Sequence, residues 1–289
     1  MERENDAGPA AATLKTRSLA LIGAGAMGEA IISGLLTQQL FRAEQITAAE
    51  PRAARRDELQ THYNIRTSAS NHAVAAQGDI VVVAVKPQVL PQVLPPLRGV
   101  LREGTLCISI AAGVPIQTIA EGLGHAAVVR SIPNTPAQIN QGMTVWTAAP
   151  AVSEQQRTWA RLVLGALGRE LFVEREHFID MATALAGSGP AYIFLIIEAM
   201  IDAGVQMGFA RQDAEALVLQ TMHGSVQYAM QSGEHPARLR NAVTSPGGTT
   251  AAALAALERG GLRTVLSDAI QAAYQRSREL GKPERHNET

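Results

Sequence analysis

A chain of 289 residues with 46% hydrophobic content can bury the core of one large or two modest domains. Its formal net charge of −1 and pI near 6.7 exclude the basic field that nucleic acid or an anionic lipid surface selects, while leaving specific acidic small molecules as partners. One cysteine, Cys107, excludes an intramolecular disulfide and fits a reducing compartment.

Residues 1–16, "MERENDAGPAAATLKT", carry both signs of charge and lack the apolar core of a signal peptide, which predicts a disordered tail and a cytoplasmic protein. "SLALI" at 18–22 is a short apolar run that ends at "GAGAMG" and opens into "EAIISGLL", whose apolar residues recur at helical spacing. A second strand, "QITAAE", follows, then a polar helix "RAARRDELQTHY" and a shorter helix "NHAVAAQG". "DIVVVAV", "TLCISIAAG" and "AAVVRSIPNTP" supply further strands, with the helix "VPIQTIAEGL" between the last two. Strand alternates with helix and the strands are almost continuous apolar runs. That pattern predicts a doubly wound α/β domain over 17–175, its sheet parallel and covered on both faces.

From "SEQQRTWARLVLGALG" onward the pattern is helix after helix, with breaks at "GSGP", "MGFAR", "SGEHP", "SPGG" and "ERGG". Residues 176–281 are therefore expected to form an all-helical domain, and 282–289 a tail. "PAYIFLIIEAMIDAGVQMG" is apolar almost all the way round, more than a monomer of this size buries alone, so association through this domain follows. Its apolar run stops at Glu198, short of the roughly 20 residues of a membrane span, so no membrane is expected as a partner.

Gly23, Gly25 and Gly28 lie after a strand and before a helix. In that setting the first glycine permits a tight turn, the second lets the backbone approach a pyrophosphate, and the third permits close helix packing. The helix N-terminus then offers free N–H donors to the phosphates. Glu50 closes the second strand, where an acid favours the ribose 2′-OH of NAD; Arg52, Arg55 and Arg56 follow, and each is able to pair with a 2′-phosphate. These residues leave NADH and NADPH both open.

Three more strands end on the same carboxyl edge, where open α/β sheets bind ligands. "VAVKPQ" places Lys86 there; it is the one interior lysine of a chain that otherwise has only Lys15 and Lys282. Small residues at Ala111, Ala112 and Gly113 admit a flat nicotinamide ring, and Pro133 and Pro136 fix Asn134 and Thr135 in a rigid loop. In the helical region, "VTSPGGTT" at 243–250 stops one helix and exposes the N–H groups of Gly247, Gly248 and Thr249 ahead of the next, a ready carboxylate site beside the Thr250 hydroxyl. The seven histidines show no ligand spacing, and no HExxH, CxxC or GxSxG pattern occurs, so no metal is expected.

Taken in order, "GAGAMG", "VAVKPQ", "SIAAG", "SIPNTP", "GSGPAY" and "VTSPGGTTAAALAALE" closely resemble pyrroline-5-carboxylate reductase from about residue 18 to 281, and the last is that family's own signature. The resemblance implies a Rossmann-type domain followed by a helical dimerisation domain. It also implies reduction of (S)-1-pyrroline-5-carboxylate to L-proline by hydride from NADPH or NADH, in homodimers that assemble further into decamers. By the same likeness, cofactor contacts fall on Ala26, Met27, Asn71, Ala84, Val85, Lys86, Pro87, Ile110, Ala111 and Ala112. The substrate carboxylate falls at Val243, Ser245, Gly247, Gly248, Thr249 and Thr250 of the partner subunit, with Thr250 near the ring nitrogen and Glu176 near the product. Ala242 departs from the pattern, since relatives often carry Asn or Gln there.

Two other readings compete. β-Hydroxyacid dehydrogenases share the layout but use a lysine in the helical domain, and residues 87–281 contain none. A non-catalytic dinucleotide sensor would bind cofactor without turnover, and has no use for the "SPGGTT" turn.

Overall fold

The protein is described by a computed structural model covering residues 12–281. The chain divides into two compact units, one running to Ser188 and resuming at Ala273, the other formed by Gly189–Ala272.

Among the described residues, the first unit contains an eight-stranded sheet in the order β3-β2-β1-β4-β5-β6-β7-β8. Strands β1 (Leu19–Ile22), β4 (Ile80–Val83), β5 (Leu106–Ser109) and β6 (Val128–Ile132) are buried along their whole length, as continuous apolar runs require. Because side chains alternate across the pleat, Leu19 and Leu21 face one core layer with Ile31, Leu35, Trp159 and Val163. Ala20 and Ile22 face the opposite layer with Leu90, Leu97, Ile119 and Leu123. Strands β2 (Ile46–Ala49) and β3 (Arg66–Ser68) complete the edge beyond β1.

The expectation of a parallel sheet holds for β1 to β6 only. Strand β7 (Gly142–Ala148) pairs antiparallel with β6, and β8 (Gly168–Phe172) pairs parallel with β7, so the last two strands run opposite to the rest. The connection from Ile132 to Gly142 is too short for a crossover helix, which a parallel neighbour needs. β8 also falls where the sequence pattern read as helix.

Helices of this unit are α1 (Ala26–Thr37), α2 (Ala53–Tyr63), α3 (Asn71–Ala75), α4 (Leu90–Val93), α5 (Ile116–Leu123), α6 (Glu154–Gly165) and α7 (His177–Ala182). Part of the expected N-terminal tail is ordered: Leu14 is fully buried, and Gln45 Nε2 donates to the carbonyls of Leu14, Lys15 and Arg17 at 3.1, 3.0 and 2.6 Å. Trp159 Nε1 donates to Thr13 Oγ1 at 3.0 Å. Residues 1–11 and 282–289, the rest of the two expected tails, lie outside the described residues. The unit boundary at Ser188 also differs from the composition break at 175. The cause is packing, since Ile179 of α7 is buried against Ile132 and Val145 of the sheet.

A single π-helical turn, Thr183–Gly187, joins α7 to α8 (Gly189–Gln206). The second unit continues with α9 (Arg211–Ser232), α10 (Pro236–Ala242), α11 (Thr249–Arg259) and the first half of α12 (Leu262–Leu280). Its helices leave large apolar side chains uncovered, Phe194 at 62%, Leu195 at 66% and Met230 at 65% exposure among them. Within the continuous helical run His177–Gln206, one window has a mean hydropathy of 1.6; by length and composition the run is able to cross a membrane, contrary to the shorter span read from the sequence.

Candidate functional site

The strand order reverses between β1 and β4, and the turn after β1 sits at that switch point. Gly23 takes φ +93°, and a Cβ there would meet Val85 Cγ1 at 2.7 Å and the Ala84 backbone at 3.1 Å. A Cβ on Gly28 would meet the Gly23 carbonyl at 2.5 Å, so α1 comes down directly onto the turn. Gly25 differs from both: a Cβ there would meet nothing within 4 Å. It is the N-cap of α1 with no side chain capping it, and Ala26 beside it is exposed, with Met27 half-buried. The glycine turn thus presents open space at a helix N-terminus, the shape and polarity a pyrophosphate needs.

Of the groups at the end of β2, Glu50 is 4% exposed and its Oε1 accepts from the Arg52 backbone N–H at 3.2 Å and Nε at 2.8 Å. Burial alone would raise its pKa; the Arg52 side-chain and backbone bonds and a bond from Ala24 outweigh that and hold the carboxyl below the usual range. Arg55 donates from Nε to the Ala24 carbonyl at 3.1 Å and pairs with Glu29 and with Glu58. Arg56 Nη1 donates to the carbonyls of Glu50 and Pro51, both at 2.8 Å. Arg52 is the most exposed of the three at 67%, whereas Arg55 holds the glycine turn in place.

The other residues expected on the cofactor side follow successive strands on the same edge. Asn71 opens α3 after β3, with Ser70 Oγ capping Ala73 N–H at 3.2 Å. Ala84 and Val85 follow β4, and Ala84 N–H donates to the Ile22 carbonyl at 2.8 Å, fastening this loop to the end of β1. Lys86 is exposed at the start of a 3₁₀ turn whose first residue is Pro87. Ile110, Ala111 and Ala112 follow β5; Ile110 N–H donates to the Val83 carbonyl at 3.2 Å, and Ala111 N–H to Ser109 Oγ at 3.3 Å. Cys107 points into the core behind them, and burial pushes its thiol up to about 12. Iodoacetamide under native conditions at pH 7.5 is expected to leave Cys107 unmodified by intact mass, and rapid full alkylation would contradict that burial.

Sequence reasoning missed the surroundings of Glu176. Arg130 of β6 is 2% exposed, donating from Nη1 to Glu176 Oε1 at 3.0 Å and from Nη2 to Asp180 Oδ1 at 2.6 Å. Ile116 N–H also donates to Glu176 Oε1 at 2.7 Å, and Ser277 Oγ to Asp180 Oδ1 at 3.0 Å. The carboxylate is tied into a structural ion cluster while its side chain stays 36% exposed. The signal was present in "VVRSI": an arginine inside a buried strand must find anions.

In the second unit, Val243 ends α10 and the chain turns through Ser245–Gly248, where Gly247 takes φ +69° and Gly248 N–H donates to the Ser245 carbonyl at 3.1 Å. Proline second and a positive-φ glycine third give the type II pattern. The Gly248 N–H is therefore spent inside the turn rather than offered to a ligand. α11 starts at Thr249 with Gly248 as an N-cap lacking a side-chain cap, and its first intrahelical bond is Ala252 N–H to the Gly248 carbonyl at 3.2 Å. The donors facing outward are those of Thr249, Thr250 and Ala251. Thr249 is exposed and Thr250 half-buried. Among the described residues no group of three His, Cys, Asp or Glu side chains gathers as a metal site.

Comparison with known proteins gives the family. Residues 176–280 match the family described as pyrroline-5-carboxylate reductase dimerisation, and residues 18–113 match the family described as NADP oxidoreductase coenzyme F420-dependent. Pyrroline-5-carboxylate reductase of Synechocystis sp. is 43% identical over 264 residues, covering 91% of this chain and 98% of that one. The structure of the Coxiella burnetii enzyme is similar at a TM-score of 0.86 and 36% identity, covering 93% of this chain and 100% of that one. The Plasmodium falciparum pyrroline carboxylate reductase, solved with NADP bound, is similar at a TM-score of 0.85 and 30% identity, covering 93% and 100%. With such identity sustained over nearly the full length of both partners, the chain belongs to the pyrroline-5-carboxylate reductase family.

Proposed function

We propose that the chain reduces (S)-1-pyrroline-5-carboxylate to L-proline, the last step of proline biosynthesis, with NADPH as the preferred reductant and NADH as an alternative. What carries the reading is the open space over Gly25 at the N-terminus of α1, on a chain that belongs to this family over almost its whole length. When bound, the dinucleotide supplies the hydride.

The chain's own residues do the rest. Gly23, Gly25, Ala26, Met27 and Gly28 receive the pyrophosphate, and Glu50, fixed by Arg52, supports the adenosine end. Asn71, Ala84, Val85, Lys86, Pro87, Ile110, Ala111 and Ala112 line the cofactor along the carboxyl edge. Val243, Ser245, Gly247, Thr249 and Thr250 of a second copy hold the substrate carboxylate, Gly248 closing the turn that presents them, with Glu176 close to the ring. An imine accepts hydride well once its nitrogen is protonated, so the site has to favour a cationic nitrogen beside an anionic carboxylate. Thr250 is too weak an acid to be the proton source; it orients the nitrogen and relays a proton from water. Thr250→Ala is expected to lower kcat/KM about tenfold, the worth of one oriented hydrogen bond, and unchanged kcat and KM would remove this role.

The dimerisation domain self-associates, and its exposed apolar side chains are the surface that does so. We propose further that dimers assemble into decamers in the cytoplasm, with neither nucleic acid nor membrane as a partner. Oxidation of NADPH or NADH on addition of pyrroline-5-carboxylate tests the activity directly, and its absence with both cofactors overturns it.

A further inference from the structure

The turn Thr183–Gly187 is π-helical: Ser188 N–H reaches back five residues to the Thr183 carbonyl at 2.8 Å. Such turns disrupt the regular i→i−4 pairing and concentrate at functional sites. This one lies on the carboxyl end of β6, since a Cβ on Gly187 would meet Ile132 Cγ1 at 3.4 Å. Ala112, from the loop after β5, packs on the same small apolar cluster as Ile132.

Asn134, in the loop after β6, reaches this turn. Its Nδ2 donates to the Ala186 carbonyl at 3.2 Å, and its Oδ1 accepts from Met143 N–H at 2.9 Å. Asparagine at the start of a helical turn ordinarily caps that turn with its side chain. Asn134 occupies the N-cap position of the 3₁₀ turn Thr135–Ile139 and makes no such cap. Its amide bridges β7 to the π-turn instead.

We propose that Asn134 is a positioning residue for the reduction: by holding the Ala186 carbonyl against β7 it fixes the π-turn as a wall beside the hydride-transfer edge. This rests on the reading of the carboxyl edge, around Ile110–Ala112, as the nicotinamide site. The contacts of this clamp fall on Ile132, Met143 and Ala186 rather than on the glycine turn that receives the pyrophosphate, so its effect is expected on the imino acid rather than on cofactor affinity.

The test uses Asn134→Ala and Asn134→Asp in the full-length protein. Asn134→Ala is expected to lower kcat/KM for pyrroline-5-carboxylate about tenfold while the NADPH Kd stays within about twofold. Asn134→Asp keeps the acceptor for Met143 N–H but is able to donate to Ala186 only when protonated. A carboxylate held against a carbonyl oxygen protonates readily, so its activity relative to wild type is expected to recover as pH falls from 8 to 5. Hydrogen exchange supplies a readout independent of turnover: peptides over 183–188 exchange faster in both variants at pH 8, and Met143 loses protection only in Asn134→Ala. Wild-type kcat/KM in Asn134→Ala, an equal loss of NADPH affinity, or unchanged exchange at 183–188 overturns the proposal. An inactive wild type with the expected exchange changes instead overturns the assigned reaction and leaves the clamp established.

Discussion

Arg130→Met is expected to lower the melting temperature by roughly 6–12 °C. Removing one partner of a buried ion pair leaves the other charge uncompensated and costs about 3–5 kcal/mol. Here two carboxylates, Glu176 and Asp180, lose their shared cation. Because Glu176 is 36% exposed, water screens part of the loss, and about 3 kcal/mol is the appropriate figure. Arg130→Lys is expected to recover little, since one ammonium does not reproduce a fork that addresses both carboxylates from separate nitrogens. A melting temperature within 2 °C of wild type in Arg130→Met, by scanning calorimetry, would show that the cluster is not a clamp.

For Gly25→Ala the expectation is the reverse: an unchanged melting temperature and a Kd for NADPH weakened by about 100-fold. The added methyl meets no protein atom within 4 Å and Gly25 sits at φ −69°, which alanine adopts without strain, so folding is untouched. The methyl instead enters the open space over Gly25, where the pyrophosphate is proposed to lie. Gly28→Ala separates the two effects, because its methyl would strike the Gly23 carbonyl and has to cost stability and binding together. Fluorescence titration with NADPH decides the matter, and wild-type affinity in Gly25→Ala would move the cofactor off the glycine turn.

The parts of this molecule legible in the sequence are those where one residue type answers one physical demand. Glycines at 23 and 28 mark a turn with no room for a side chain, Gly25 leaves open space at the start of the helix that follows, and runs such as "DIVVVAV" are apolar throughout because both faces of the strand are covered. "SPGGTT" announced a helix start for the same reason, although the fate of the Gly248 N–H depended on a turn bond that spacing does not reveal. Strand β8, "GRELF", was hidden because it is a five-residue edge strand with alternating exposure and lies between helices. The π-turn was hidden because "TALAG" is made almost wholly of small and apolar residues, so a one-residue shift of helical phase within it has no polar marker to reveal it. Arg52, Arg55 and Arg56 look equivalent in the sequence; which of them is engaged depends on Glu29, Glu50 and Ala24, brought to them by folding.

The last turns of α12 belong to the sheet-bearing unit: Ser277 bonds Asp180, and a Cβ on Gly113 would strike Leu280. That arrangement governs the order of events on the ribosome. The loop after β5 and the Arg130 cluster are synthesised early, but the helix that closes over them emerges only after every residue of the second unit has been made. The nascent chain therefore carries an unfinished nucleotide domain for as long as the second unit is being made, and its completion waits for the last turns of α12.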